Sequence, residues 1–260
     1  MHDVAKGSSV SQSGSESEQE FLAKYDASRF ARPSVAVDVA IVTHSEGQLR
    51  ALVYERDEHP AMGAWALPGG FVGIDEALDS AARRVLADKA GVDNVYLEQL
   101  FTFGRVDRDP RTRIITVAHT ALVPFERLAH LNGGTWLAPI VVPWEGESGG
   151  PIMLLGRDGE RIELAWDHAE ILGAAVQRMR GKLDYSNIAF SLLPPAFTLR
   201  QLQKLHETIS GRSMNKDSFR RRLIASGLVE STGTRQSEVG HRPAALYRFT
   251  GATAPIEGRH

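Results

Sequence analysis

Residues 83–92 read RRVLADKAGV. At i, i+3 and i+4, Val85, Asp88 and Lys89 share one side of a helix. Three carboxylates spaced that way would hold a hard, oxygen-seeking Mg²⁺ beside a phosphate. The ion would polarise phosphorus and lower the pKa of an attacking water. Here only Asp88 supplies an oxygen, and Lys89 brings an ammonium to where the ion would sit. Two such cations at about 4 Å repel by several kcal/mol at an intermediate dielectric. Poor Mg²⁺ binding is therefore expected, and neither a metal ligand nor a catalytic residue is assigned. A fixed ammonium can instead partly neutralise a diphosphate. The competing reading of Lys89 is a solvent-facing cation late in a helix, favoured by the helix dipole.

The elements that must position these residues are legible from periodicity. Val35, Val37, Val39 and Ile41 alternate along SVAVDVAIVT, predicting a half-buried strand, and a second strand follows near 50–56. WALPGG is a short strand ending in a glycine turn. Residues 77–90 carry an apolar stripe of Leu78, Ala82, Val85, Leu86 and Ala90, with Gly91 as the stop. Strands over YLEQLFTFG and RIITVAHTALVP flank a charged loop, 105–113, and IMLLGRDGERIELAW reads as a hairpin. Asp167 and Glu170 stand as a capping box for a helix ended by Gly181. Beyond it, helices are expected over 184–195, from Thr198, and after the N-cap Asn215, then two short strands. Helix, helix, helix, hairpin is a winged helix-turn-helix pattern.

Bulk properties sharpen the division. Residues 1–181 hold 18 Lys and Arg against 26 Asp and Glu, whereas residues 182–260 hold 12 against 6. An acidic part joined to a basic part suggests a small-ligand domain and a polyanion-binding domain. The expected organisation is a disordered or loosely ordered tail at 1–29, a ligand domain at 30–181, a DNA-binding domain at 182–250 and a flexible tail at 251–260. Zero cysteines exclude disulfides and fit a reducing cytoplasm. No apolar run reaches the about 20 residues of a membrane helix.

Gly70, Glu76, Arg84, Leu86, Gly91 and Val92 also match a longer pattern, G-x5-E-x7-R-E-U-x-E-E-x-G-U with U aliphatic. This resembles the Nudix box, with two of its three later acids replaced by Val85 and Lys89. The resemblance implies an α+β protein whose N-terminal part is an α/β/α sandwich with a mixed sheet. The segments LEQLFTFGRVDRDPRTRIITVAHTALV and AWDHAEIL look like the ADP-ribose-handling branch of that fold. With the basic domain that follows, the chain resembles the Nudix-related transcriptional regulators of NAD metabolism.

What that resemblance implies is a repressor of NAD synthesis or salvage genes that senses ADP-ribose or a related nucleotide. The alternative is an ADP-sugar pyrophosphatase with residual Mg²⁺-dependent activity. Candidate ligand contacts are Gly70, Glu76 and Lys89 in the box, and Arg56, Arg105 and Arg108 for a diphosphate. Asp107 and Asp109 suit ribose hydroxyls. Trp65, Phe101 and Phe103 either stack on adenine or belong to the core. Arg84 is expected to support the loop, and His119 and His168 are read as structural. On the winged helix, Lys216, Ser218, Arg220, Arg221 and Arg222 suit a major groove, with Phe219 and Leu223 turned inward. Arg221 is the favoured base contact, and Arg220 and Arg222 suit phosphates. Arg235, His241 and Arg242 would come from the wing, reaching phosphate or a minor groove. A pseudo-palindromic double-stranded operator and a homodimer follow from the short reach of one such domain.

Overall fold

The computed structural model describes residues 17–128, 131, 134–183, 186–236 and 243–251. Residues 17–32 form a small unit of their own. In it α1 (Glu18–Lys24) begins at Ser17, whose side chain accepts from Glu20 N–H while Glu20 reaches back, a full capping box. Helix α1 lies within the tail expected to be disordered or loosely ordered over 1–29, and none of its residues is buried. Ser17 and Glu20 carried the start signal in the sequence.

From Pro33 the chain builds a nine-stranded mixed sheet and, after it, a winged helix. The strands are β1 (Ser34–Ser45), β2 (Gln48–Glu55), β3 (Trp65–Ala66), β4 (Gly69–Phe71), β5 (Tyr96–Phe103), β6 (Ile114–Leu122), β7 (Thr135–Val141), β8 (Met153–Leu155) and β9 (Arg161–Ile162). Their order is β5-β6-β1-β2-β7-β8-β9, with β4 on β1 and β3 on β2. The β1–β6 pair is parallel and its neighbours are antiparallel. Helix α2 (Leu78–Ala90) covers one face and α3 (His168–Lys182) the other, giving the α/β/α sandwich.

Strand β1 departs from the half-buried expectation. Val37, Val39 and Ile41 pack under α2, while Ala40 and Val42 pack on the α3 side. Every residue from Ala36 to Thr43 is buried, because both faces carry a helix layer. The alternating valines report only the first face. The second is written in small residues and one acid, Asp38.

The basic part contains α4 (Leu199–Ser210), α5 (Lys216–Ala225) and the hairpin β10 (Val229–Arg235) with β11 (Ala245–Phe249). Thr198 and Gln201 form a capping box at α4, and Asn215 accepts from Ser218 N–H at 3.0 Å at α5. The helix expected over 184–195 is only a 3₁₀ turn, Ile188–Leu192, stopped short by Pro194-Pro195. Residues 184 and 185, the wing tip 237–242 and the end 252–260 lie outside the described residues. The domain boundary expected after residue 181 cuts the last turn of α3. Leu172 and Met179 of α3 share one core with Leu202, Leu205 and Phe219 of the winged helix.

Candidate ligand cleft and nucleic-acid interface

A cleft of about 180 Å³ with both charged and apolar walls opens beside β4. Its walls include Tyr54 and Arg56 of β2 and the turn after it, Gly70 of β4, Arg108, Asp109 and Arg111 of the β5–β6 loop, and Trp166 and His168 at the start of α3. Pockets for drug-sized ligands are typically about 300–1,000 Å³, so this volume suits part of a nucleotide.

The floor is a buried ion network. Arg108 hydrogen-bonds Asp38 by a very short contact and donates from Nε to both Asp167 oxygens at 3.0 and 2.9 Å. All three residues are buried, Arg108 at 6% exposure. His168 Nδ1 accepts from Leu67 N–H at 2.9 Å, so the ring proton sits on Nε2, 3.7 Å from Asp38. Burial pushes the His168 pKa down and keeps the ring neutral. A Cβ on residue 69 would lie 2.2 Å from an Asp38 oxygen, so only glycine there lets that carboxylate reach Arg108. Asp109 is held below the usual carboxylate range by the Arg111 guanidinium, which binds it through Nε at 3.0 Å and Nη2 at 2.9 Å.

Arg56 differs from these paired cations. Its donors meet the carbonyls of Pro60 at 2.9 Å and Glu58 at 3.3 Å and the Tyr54 hydroxyl at 3.5 Å. Its guanidinium lies 4.7 Å from the Trp166 ring centroid. Among the described residues it has no carboxylate partner, leaving a cation at the wall that suits an anionic ligand.

Four of the ten expected ligand residues line this cleft: Arg56, Gly70, Arg108 and Asp109. Arg108 is already committed to two acids, so its expected role as a free diphosphate clamp is corrected to that of a buried scaffold. Trp65 packs half-buried against the core, its carbonyl accepting from Ala165 N–H, and is not among the residues lining the cleft. Phe101 and Phe103 form an edge-to-face pair in a separate depression beside α3. Arg105 and Asp107 are exposed and pair with each other at 3.5 Å.

Glu76 accepts from Arg84 at 2.8 Å through both oxygens and from Gly73 N–H at 3.0 Å. These hydrogen bonds, Arg84's first, lower its pKa to about 2. Arg84 also donates to the Phe71 carbonyl at 3.0 Å, so the pair braces the loop ahead of α2 and Glu76 is not a free ligand group. Lys89 sits 5.1 Å from the Tyr54 ring centroid, just off the cleft wall.

Asp38, Tyr54, Arg111, Trp166 and Asp167 join the site beyond the residues expected from the sequence. An acid inside VAVDVAIV was the available signal for Asp38. Asp167 has the sequence position of a helix cap, but its carboxylate makes no cap hydrogen bond and goes to Arg108.

The donor set on α2 does not fit a divalent cation. Val85 is 2% exposed beneath the helix, Asp88 stands exposed beside the Lys89 ammonium, and both Glu76 oxygens are taken. No cluster of three or more acids and histidines suited to a metal occurs among the described residues.

The second candidate surface is a groove of about 690 Å³ between α4, the start of α5 and the wing. Arg200, Lys204, Lys216, Arg220 and Arg235 line it. Lys204 pairs with Glu207 at 3.4 Å, and Arg235 donates to the Pro243 carbonyl at 3.0 Å. Arg200, Lys216 and Arg220 are exposed and have no acid partner among the described residues. Phe219 and Leu223 point inward as expected, and Ser218 is half-buried at the cap. Arg221 and Arg222 are exposed but lie outside the groove, so the structure favours Arg220 over Arg221 as the groove's own contact. His241 and Arg242 lie outside the described residues.

Comparison with known proteins matches residues 32–142 to the NUDIX domain and residues 189–249 to the NrtR DNA-binding winged helix domain. The ADPR responsive transcriptional repressor NtrR of Acinetobacter baylyi is 39% identical over 90% of this chain and 88% of its own length. Shewanella oneidensis NrtR, in a crystal structure with a 27mer DNA, superposes with a TM-score of 0.69 at 32% identity, covering 83% of this chain and 93% of that one. A MutT/nudix family protein from Enterococcus faecalis gives 0.71 at 25% identity, covering 90% and 94%. The likeness thus runs through both the cleft-bearing sandwich and the basic winged helix, and the chain belongs to the NrtR family of Nudix-domain transcriptional regulators.

Proposed function

We propose that this protein is an ADP-ribose-responsive repressor of genes for NAD synthesis or salvage, working as a homodimer on a pseudo-palindromic operator in the cytoplasm. The ligand is ADP-ribose or a close nucleotide, held in the cleft beside Arg56 and Trp166. The winged helix grips double-stranded DNA through Lys216, Arg220 and Arg200, with Arg221, Arg222 and the wing beside them. The observation that carries the reading is the continuous likeness to the Acinetobacter repressor across both domains. The unpaired cations of the winged-helix groove support it, since such charges suit phosphates.

The cleft binds its nucleotide without cutting it. Apolar burial of Val85 and the Lys89 ammonium remove the oxygens a metal-assisted hydrolysis needs. The competing hydrolase reading rests on Asp88, whose carboxylate remains exposed on α2. One experiment separates them. A duplex selected by the chain from a random pool is titrated by fluorescence anisotropy, with and without ADP-ribose, in Mg²⁺ buffer. The nucleotide is then recovered. A change in duplex affinity of about 5–150-fold with intact ADP-ribose is expected, matching a coupling of about 1–3 kcal/mol. Unchanged affinity removes the sensing role, and AMP formed at the about 10 per second of a median enzyme makes the chain a hydrolase.

A further inference from the structure

We propose that α3 transmits cleft occupancy to the winged helix, and that Arg180 is the positioning residue through which it does so. This rests on the sensing reading above. The first turn of α3 belongs to the cleft. Trp166 and His168 line it, and Asp167 grips Arg108 beneath it. Trp166 holds a left-handed backbone angle of 53°, uncommon for a bulky residue, at the point where the chain enters the helix. A ligand that shifts Arg56, stacked 4.7 Å from the Trp166 ring, or Trp166 itself therefore acts directly on the start of α3.

The helix then runs 15 residues, about 22 Å at 1.5 Å per residue, as one rigid element. A strap over residues 144–150 clamps its middle. A Cβ on Gly173 would fall 1.9 Å from the Gly150 carbonyl oxygen, so glycine is what admits this close approach. Gln177 donates to the Glu147 carbonyl at 2.7 Å.

At the far end the Arg180 guanidinium ties α3 to two other segments. It donates to the carbonyls of Gly146 at 2.9 Å and Trp144 at 3.2 Å in the strap. It also donates to Ile209 at 2.8 Å, in the last turn of α4. It stacks 4.6 Å over the Trp144 ring. A cation suits the negative end of α4, and the planar fork lets one side chain serve both segments. Helix α4 in turn sets the entry to α5. Glu207 accepts from Met214 N–H at 2.9 Å, and Gln203 donates to the Met214 carbonyl at 3.0 Å. Displacement of α3 along its axis thus reaches the turn that aims α5. Arg180 lies in neither the cleft nor the basic groove.

The test uses the full chain and the selected duplex. Wild type, R180Q and R180K are each titrated with ADP-ribose alone, with duplex alone, and with duplex in saturating ADP-ribose. R180Q is expected to bind each partner separately as wild type does, while the ratio of duplex affinities with and without ADP-ribose collapses towards one. R180K keeps the charge but lacks the fork, so it gives an intermediate ratio and decides the matter if R180Q does not fold. A wild-type ratio retained by a folded R180Q or R180K overturns the role of Arg180. A wild-type ratio of one overturns the sensing reading itself, and the two failures are distinct.

Discussion

The two candidate surfaces treat charge in opposite ways. Around the cleft almost every ion has an internal partner: Arg108 with Asp38 and Asp167, Arg111 with Asp109, Arg84 with Glu76. In the winged-helix groove, Arg200, Lys216 and Arg220 stand exposed without acids among the described residues. Paired, buried ions fix a shape and contribute little free charge to a ligand. Unpaired exposed cations keep their hydration until a polyanion replaces it, which makes binding strong and salt-dependent. The first region is built to hold one geometry, and the second to meet a charged surface.

Breaking the buried network gives the largest expected effect. Asp38→Ala leaves Arg108 with one acid, and removing one partner of a buried pair costs about 3–5 kcal/mol. Urea denaturation reads this directly, and a loss below about 1 kcal/mol would show the network to be solvated. The groove comes next. Arg220→Ala and Lys216→Ala are each expected to lower the salt slope of duplex binding by about 0.9 per lost phosphate contact. Arg221→Ala sharpens the assignment: a base contact there would relax sequence preference by about 1–3 kcal/mol, whereas a phosphate contact would weaken all duplexes alike.

Smaller effects come from titration. The folded pKa of His168 lies below its ordinary 6.5. The unfolded chain therefore binds the proton first, and stability present above pH 6.5 is lost as pH falls below it. His168→Asn should flatten that part of the stability profile. Glu76 is the mildest case because its partner Arg84 is exposed and solvent screens the pair. With a folded pKa of about 2 against 4.5, its contribution is present above pH 4.5 and fades as pH falls towards 2. Melting curves of Glu76→Gln across that range should show the missing slope.

The elements were legible wherever periodicity or a cap spoke locally. The apolar stripe of α2, the Thr198 and Asn215 caps and the inward Phe219 and Leu223 were all readable in the sequence. What resisted reading depends on partners distant in sequence. Asp167 looks like a cap until Arg108, 59 residues earlier, takes its carboxylate. Nothing local tells Trp65 from Trp166, but the first packs half-buried against the core and the α3 entry brings the second to the cleft. The box spacing located the loop and helix correctly. Whether Glu76 is free depends on Arg84, eight residues on, which takes both of its oxygens.

The central claim is that the cleft holds a nucleotide and leaves it whole. Isothermal titration of the full chain with ADP-ribose, in Mg²⁺ and again in EDTA, tests it most directly. A single binding isotherm of equal affinity in both buffers, with ADP-ribose recovered intact, is the predicted result. Binding that requires Mg²⁺, or AMP and ribose 5-phosphate in the cell at the end, would contradict it.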